Sequence, residues 1–153
     1  MTVTVFKVFS ILLWQKEIMN LHQHGSHLAV IVPTLTVRNC SGAIAFYQKA
    51  FGATVLMSNT DSDGSTVAEM EIMGARFVVA DESEEYNHFS PEKLHGTPVR
   101  IGLQVVDPDQ LFARAVEAGA LIIYPVADQD YGYRLGHLVD PFGHHWEIFK
   151  PLT

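Results

Sequence analysis

One order of predicted elements occurs twice in the chain, and this repeat constrains the fold more than any other feature of the sequence. The segment AFYQKAFGATVL (45–56) aligns with FARAVEAGALII (112–123), and each predicts a helix, a Gly-Ala pair and a strand. In the same way, GARFVVAD (74–81) aligns with GHHWEIFK (143–150). The surrounding alternation of apolar and polar residues predicts one strand before each helix and three strands after it. We therefore expect an α+β fold built from two tandem βαβββ modules.

The boundaries of these modules follow from the polar segment between them. Module one is expected at about residues 29–82, module two at about 98–152, and residues 83–97 form the linker. Both modules belong to a single predicted domain, residues 19–153. The first 14 residues, MTVTVFKVFSILLW, are mostly apolar but shorter than the roughly 20 residues that span a bilayer, and residues 15–17, QKE, follow them instead of a small-residue cleavage site. We expect residues 1–18 to be an N-terminal extension outside the core. The alternatives are that they form an extra strand, form an oligomer contact, or result from an upstream start of translation.

Charge and cysteine content limit the partners and the compartment. The formal net charge is −7, and the few basic residues are scattered, so a nucleic-acid partner is not expected. No apolar run is long enough for a membrane span, so no membrane partner is expected either. Cys40 is the single cysteine, which excludes an internal disulfide and favours a cytoplasmic protein.

Three segments carry a resemblance to a known family. They read VPTLTVRNCSGAIAFYQKAFGA, VVDPDQLFARAVEAGA and YGYRLGHLVDPFGHHWEIFKPL. With the strands between them they cover about residues 29–152, and they resemble the glyoxalase / bleomycin-resistance / ring-cleaving dioxygenase superfamily, also called the vicinal oxygen chelate proteins. Within it, AFYQKAFGA and DPFGHxW are typical of the PhnB-like branch. Because this superfamily hosts many chemistries on one scaffold, the resemblance is specific for fold rather than for activity.

The resemblance implies an architecture and a possible metal site. Each module curls into half of a cupped, mostly antiparallel sheet barrel, with the helices outside, and two modules enclose a pocket. Metal-dependent members hold one divalent ion with four side chains, usually His on the first strands of the modules and Glu on the last. Drug-binding members lack these ligands and sequester a molecule between two chains. A homodimer is therefore expected.

The expected ligand positions are mostly occupied by residues that cannot bind a metal. Glu147 falls where the family places its final glutamate, but the Gly74/Gly143 match makes Val78 its equivalent in module one. The first strands contain no His, Asp or Glu in any register. The positions expected on those strands are near Val32 or Thr34 and near Arg100 or Gly102. One glutamate does not offset the lost hydration of a divalent ion, so no metal is predicted.

Two alternatives stay open around Glu147. Glu69 is expected opposite Val78 and facing the cup, and in one interpretation Glu69, Glu147 and His145 form an irregular site for a divalent metal. In the other interpretation, Glu69 or Glu71 forms a cross-strand ion pair with Arg76.

The predicted cup also offers contacts for a small molecule. Arg100 and Arg134 are candidates for holding a carboxylate or phosphonate, although an ion pair between Arg134 and Glu147 is an alternative. Tyr131 and Tyr133 either stack on a ring or plug the mouth of the cup. The sequence places Arg134 and Gly136 in the cup and turns His137 away from it. The predicted ligand contacts are Thr34, Arg100, Gln104, Tyr131, Tyr133, Arg134 and His145.

Two functions fit these features. The first is a metal-free protein that binds a small molecule, anionic or aromatic, of a sequestration or resistance type. The alternative is an enzyme, a glyoxalase-like lyase or isomerase or a relative of the dioxygenases, with Glu147 as catalytic residue, either a metal ligand or a general base. The sequence alone leaves open whether the protein is an enzyme.

Overall fold

The computed structural model describes residues 29–152, so the predicted extension at residues 1–18 lies outside the described residues. The strands are β1 (Thr34–Val37), β2 (Thr54–Thr60), β3 (Thr66–Ile72), β4 (Ala75–Asp81), β5 (Arg100–Gln104), β6 (Leu121–Asp128), β7 (Tyr133–Val139) and β8 (His145–Pro151). The helices are α1 (Cys40–Phe51), α2 (Pro91–Leu94) and α3 (Pro108–Ala118), and a 3₁₀ turn covers Glu84–Tyr86. The longest of these helices has 12 residues, and none in the described range is long and apolar enough to cross a bilayer.

The strands form two four-stranded sheets with the same topology. Their orders are β1-β4-β3-β2 and β5-β8-β7-β6. In each sheet the first strand pairs in parallel with the last, and the other pairings are antiparallel. The predicted repeat of two βαβββ modules and the mostly antiparallel architecture are confirmed. The two sheets are cupped but do not close into one continuous barrel.

The two long helices, α1 and α3, are capped at both ends. The Asn39 side chain accepts a hydrogen bond from the Gly42 N–H, and Asp107 accepts one from Gln110 in the same way. Helix α1 ends at Gly52, whose φ of 67° is the left-handed conformation that glycine adopts most readily. Equivalent caps therefore delimit the helix of each module.

The helices lie on one side of the sheets and cover the apolar faces. Along β3, Ala68, Met70 and Ile72 are buried, whereas the residues between them are half-buried. In the second sheet, Leu138, Trp146 and Ile148 are fully buried in the same core. Burying alternate residues of each strand under the helices leaves the opposite face of each sheet available for function.

The modules are joined through their helices. Arg114 of α3 donates hydrogen bonds to the carbonyls of Lys49 (2.8 Å) and Gln48 (3.3 Å) in the last turn of α1. The Gln48 carbonyl also accepts from the Gly52 N–H at 3.1 Å, and a cation beside this end of α1 complements the helix dipole. Residues 32–153 accordingly form one compact unit.

Two elements differ from the sequence prediction. Strand β1 begins at Thr34 rather than at residue 29, after Pro33, which has no N–H to donate to a ladder. The predicted linker contains helix α2, where the buried Ser90 accepts from the Lys93 N–H and donates to Glu82 at 2.7 Å. The polar composition of the linker did not predict this helix, because the hydrogen bond from Ser90 to Glu82 forms only in the folded chain.

Candidate ligand-binding face of the second module

The face of the second sheet turned away from α3 brings together most of the polar side chains discussed above. Trp146 and Ile148 of β8 are buried under the helices, so His145, Glu147 and Phe149 lie on the other face. We call this the cup face. Its residues include Arg100, Gly102, Gln104, Tyr124, Tyr133, Leu135, His137, Val139, His145, Glu147 and Phe149.

The turn between β7 and β8 sets which residues share that face. Asp140 donates its N–H to the His144 carbonyl at 2.9 Å, and Gly143 completes the turn with a φ of 87°. Counting back from this closing pair places His137 directly opposite Glu147. The prediction that His137 points away from the cup is therefore wrong by one residue of register, an error that turns every side chain of β7 to the other face.

The same register corrects Arg134 and Gly136, which face α3. Arg134 donates to both carboxylate oxygens of Asp109 and to Asp128 at 2.7 Å, not to Glu147. The guanidinium holds the pKa of Asp109 below its usual range, chiefly by hydrogen bonding. A side chain at position 136 would approach Val126 and Phe112 to less than 3 Å, so this glycine permits close packing of the sheet against α3 and β6.

Glu147 is engaged by Arg100. Strand β5 runs parallel to β8, with Arg100 opposite His145 and Gly102 opposite Glu147. From this position the Arg100 Nε lies 2.8 Å from Glu147 Oε1 and forms an ion pair with it. The Glu147 side chain is 25% exposed and the Arg100 side chain 62%, so the pair lies open on the cup face.

Two imidazoles lie beside this ion pair. The His137 Nε2 and His145 Nδ1 atoms are 2.8 Å apart, so one ring donates a hydrogen bond to the other. Burial lowers the pKa of His137, and the neighbouring His145 lowers it further. The ring of Tyr124 contacts His137 with centroids 5.1 Å apart. The sequence did not predict His137 or Tyr124 on the cup face. Counting the strand register from the turn at Gly143 would have placed His137 there.

His144 has a different role from His145. Its Nε2 donates to the carbonyl of Thr36 at 2.9 Å, across the boundary between the modules. The two consecutive histidines thus point to opposite sides of the strand: His144 contributes to module packing and His145 to the cup face.

The residues at the four expected ligand positions do not form a divalent-metal site. The register pairs Thr34 with Val78 and Gly102 with Glu147, so these positions offer one carboxylate, and that carboxylate is bound to a guanidinium. Residues 29–152 contain no group of three or more His, Cys, Asp or Glu side chains arranged to hold an ion. The side chains present at these positions, and not the geometry of the fold, are therefore what does not fit a metal ion.

The irregular site with Glu69 is not assembled either. Glu69 lies opposite Val78 in the first sheet, as predicted. Its carboxylate accepts from Arg76 Nη1 at 3.3 Å, and Arg76 Nε lies 3.9 Å from Glu71. The predicted cross-strand ion pair with Arg76 is confirmed, and Glu69 is placed in a different sheet from His145 and Glu147.

Aromatic side chains lie at the end of the cup face next to the 129–132 turn. The Tyr133 and Phe149 rings meet edge to face with centroids 5.6 Å apart, and Tyr131 lies 6.2 Å from Tyr133. Tyr131 is 61% exposed and Tyr133 38%, so these rings do not plug the face in this chain. Gln104, at the end of β5, is also exposed on this face, and Thr34 is exposed in the first sheet.

Cys40 is not a reactive thiol. It is buried at the start of α1, where its Sγ lies 3.5 Å from the Val79 carbonyl oxygen. Burial raises the pKa of this thiol to about 12, with a further contribution from Asp81, so the nucleophilic thiolate is not populated near neutral pH.

The fold and the arrangement of the strand positions identify the family. The model of the Glyoxalase/Bleomycin resistance protein/Dioxygenase superfamily matches residues 26–148, and the chain belongs to this superfamily.

Relatives and solved structures agree with this assignment. An uncharacterized protein of Mycobacterium tuberculosis is 37% identical over 139 residues, covering 85% of this chain and 82% of that protein. The crystal structure of TioX from Micromonospora sp. ML1 superposes with a TM-score of 0.64 at 26% identity, over 84% of this chain and all of TioX. FosX, a fosfomycin resistance protein of Listeria monocytogenes crystallised with Mn(II) and sulfate, has a TM-score of 0.62 at 18% identity, over 84% and 96% of the chains. The last similarity concerns the fold alone.

Proposed function

We propose that the protein binds a small molecule on the cup face without a divalent metal ion, as a sequestration or resistance type of its superfamily. The observation that carries the proposal is the state of the four ligand positions: Thr34, Val78 and Gly102 bring no metal ligand, and Glu147 is paired with Arg100. The resistance role of FosX supports a small-molecule function but not a particular ligand. The PhnB-like branch and a cytoplasmic location belong to the same proposal; the latter is supported by the single, reduced cysteine.

The proposed ligand is anionic or aromatic. Arg100 supplies a cation, and Gln104 and His145 supply polar contacts on the same face. Tyr131 and Tyr133 supply exposed rings on which a planar ligand can stack. Thr34 is the proposed contact from module one. Arg134 is left out, since its guanidinium is used by Asp109 and Asp128 on the helix side.

The metal content of the purified protein tests the proposal. We expect protein made without an affinity tag, incubated with Mn(II) or Zn(II) and desalted, to retain far less than one ion per chain, because Arg100 competes for the one available carboxylate. Elemental analysis by mass spectrometry measures this. One ion per chain that is lost in Glu147→Gln but kept in Glu69→Gln would contradict the proposal and identify Glu147 as a metal ligand.

An enzymatic function is the second candidate, and the grouping of Glu147 with two imidazoles favours it. These side chains are suited to proton transfer, but a base at Glu147 must share or release Arg100. The Glu147→Gln protein addresses this candidate as well: turnover of a glyoxalase-type, epoxide or aromatic-diol substrate that disappears in this folded variant would support it.

A homodimer is also part of the proposal. The outer strand β6 exposes a run of four large apolar residues, with Leu121 69%, Ile122 51%, Ile123 50% and Tyr124 37% exposed. An apolar edge strand of this kind invites pairing, and closed pairs of identical chains are the commonest way to cover it.

Light scattering coupled to size-exclusion chromatography checks this expectation. We expect the full chain to elute as a dimer and the double variant Leu121→Asp/Ile123→Asp to elute as a folded monomer, since two charges would be buried unpaired. Val106→Asp is the matched control because Val106 is 91% exposed in a loop. A monomeric wild-type chain, or equal loss of dimer in the control, would contradict the role of β6.

A further inference from the structure

The side chain of Arg100 projects from the strand on which metal-dependent members of the superfamily carry a ligand. Strand β5 pairs with β8 so that Arg100 and Gly102 are opposite His145 and Glu147. The guanidinium of Arg100 meets the Glu147 carboxylate at 2.8 Å. A fixed positive charge therefore contacts the one acidic group that a metal ion would need.

The contact between the two side chains leaves most of the guanidinium available. In the described part of the chain, the ion pair runs through the Nε of Arg100. The two terminal nitrogens carry four further N–H donors in a planar fork, the geometry that matches a carboxylate or phosphate. With 62% of the side chain exposed, these donors can be reached from the open cup face.

The imidazole pair adds hydrogen-bonding capacity next to Arg100. His145 lies opposite Arg100 in the ladder, and its Nδ1 is used by His137. The His145 Nε2 is then the ring nitrogen not used in this bond. The Tyr124 ring contacts His137 edge to face on the same side of the sheet. The surroundings of Arg100 on this face are thus polar and contain one carboxylate.

We propose that Arg100 is the anion-binding group of the cup face, and that it takes the carboxylate or phosphonate of the ligand at the position where related proteins hold a metal ion. Glu147 is a positioning residue that orients the guanidinium through Nε. His145 is the neighbouring hydrogen-bond partner of the same anion. This inference rests on the proposed metal-free function.

The two possible roles of Glu147 predict opposite effects of one substitution. Glu147→Gln keeps an oxygen that can accept the Nε–H of Arg100 but removes the negative charge beside the anion. If Arg100 binds the anion directly, affinity for the anion rises in this variant. If a metal held by Glu147 mediates binding, affinity falls, because the metal is lost.

Nuclear magnetic resonance titrations of the full chain provide the measurement. The probes are methylphosphonate, inorganic phosphate and acetate, each added at constant ionic strength with sodium chloride as the reference. We expect saturable shifts of the Arg100 Nε–H and His145 ring signals. Arg100→Gln should weaken binding at least about tenfold, since hydrogen bonds between charged partners are lost. Glu147→Gln should strengthen it several-fold.

Arg38→Gln is the matched control. Arg38 is 50% exposed and also contacts a glutamate through Nε, at 3.3 Å from Glu82, but it lies outside the cup face. Anion binding should be unchanged in this variant. Absence of saturable shifts, weaker binding in Glu147→Gln, or equal losses in Arg38→Gln and Arg100→Gln would overturn the inference. Metal analysis of the same samples separates the proposals: a stoichiometric ion refutes the metal-free function, whereas ion-free protein that binds no anion refutes only the role of Arg100.

Discussion

Replacement of Asp140 by alanine is expected to lower the free energy of unfolding by about 3–5 kcal/mol, a large part of the roughly 5–15 kcal/mol that stabilises a domain. Asp140 is 4% exposed, and its Oδ2 accepts from the Tyr47 hydroxyl at 2.7 Å and the Trp146 indole N–H at 2.9 Å. Its Oδ1 accepts from the N–H groups of Phe142 and His144. The substitution leaves several donors without an acceptor. The loss of these hydrogen bonds accounts for most of the expected decrease in the free energy of unfolding.

Urea unfolding followed by tryptophan fluorescence measures the effect. Asp61→Ala is the control, because Asp61 lies in a turn of the first module and its hydrogen bond to Asn59 is exposed; we expect a change within about 0.5 kcal/mol. Tyr47→Phe should cost about 1 kcal/mol, since it removes one of the four bonds. A loss in Asp140→Ala no larger than that of Tyr47→Phe would show that the network contributes little.

The second large effect is expected from Trp146→Ala, at about 3–5 kcal/mol of unfolding free energy. Trp146 of module two is 2% exposed, and its ring packs against three aromatic rings of module one, with centroids 4.8 Å from Phe51, 5.7 Å from Tyr47 and 6.0 Å from Phe77. Removing it leaves a cavity where the two modules meet, and the surrounding rings can relax only in part. Thermal or urea unfolding, followed by far-ultraviolet circular dichroism because the substitution removes the buried one of the chain's two tryptophans, Trp14 and Trp146, as a fluorescence probe, gives the value.

Two comparisons make this prediction sharper. Tyr131→Ala removes an aromatic ring that is 61% exposed, and its stability should stay close to that of the wild type. In the double variant Asp140→Ala/Trp146→Ala, the loss of unfolding free energy should be smaller than the sum of the losses in the two single variants. The reason is that both substitutions break the same hydrogen bond. Full additivity would contradict the contact between these side chains as a source of stability.

The repeat in the sequence was a sufficient basis for the fold. Helix caps at Asn39 and Asp107 and alternating burial along β3 and β8 are local properties, so they can be predicted from neighbouring residues. The superfamily resemblance was confirmed. Glu147 lies on the cup face, as predicted. The alternation along β8 places its side chain on the face of the sheet away from the buried Trp146.

The partners of the site residues could not be predicted in the same way. Arg134 and Arg100 are both arginines on strands, but one reaches Asp109 on a helix and the other reaches Glu147 on a neighbouring strand. Which acid each one meets depends on register between strands, and one residue of error in β7 exchanged the faces of Arg134 and His137.

Periodicity, caps and turn residues are local properties of the chain, and they were enough to specify two modules and their helices. The pairing of Arg100 with Glu147 and the hydrogen bond from the Tyr47 hydroxyl to the buried Asp140 arose only when segments far apart in the sequence packed together. The physical reason is that such contacts depend on inter-strand register and on side-chain reach across the sheet, and neither is encoded in the spacing of residues along a single strand.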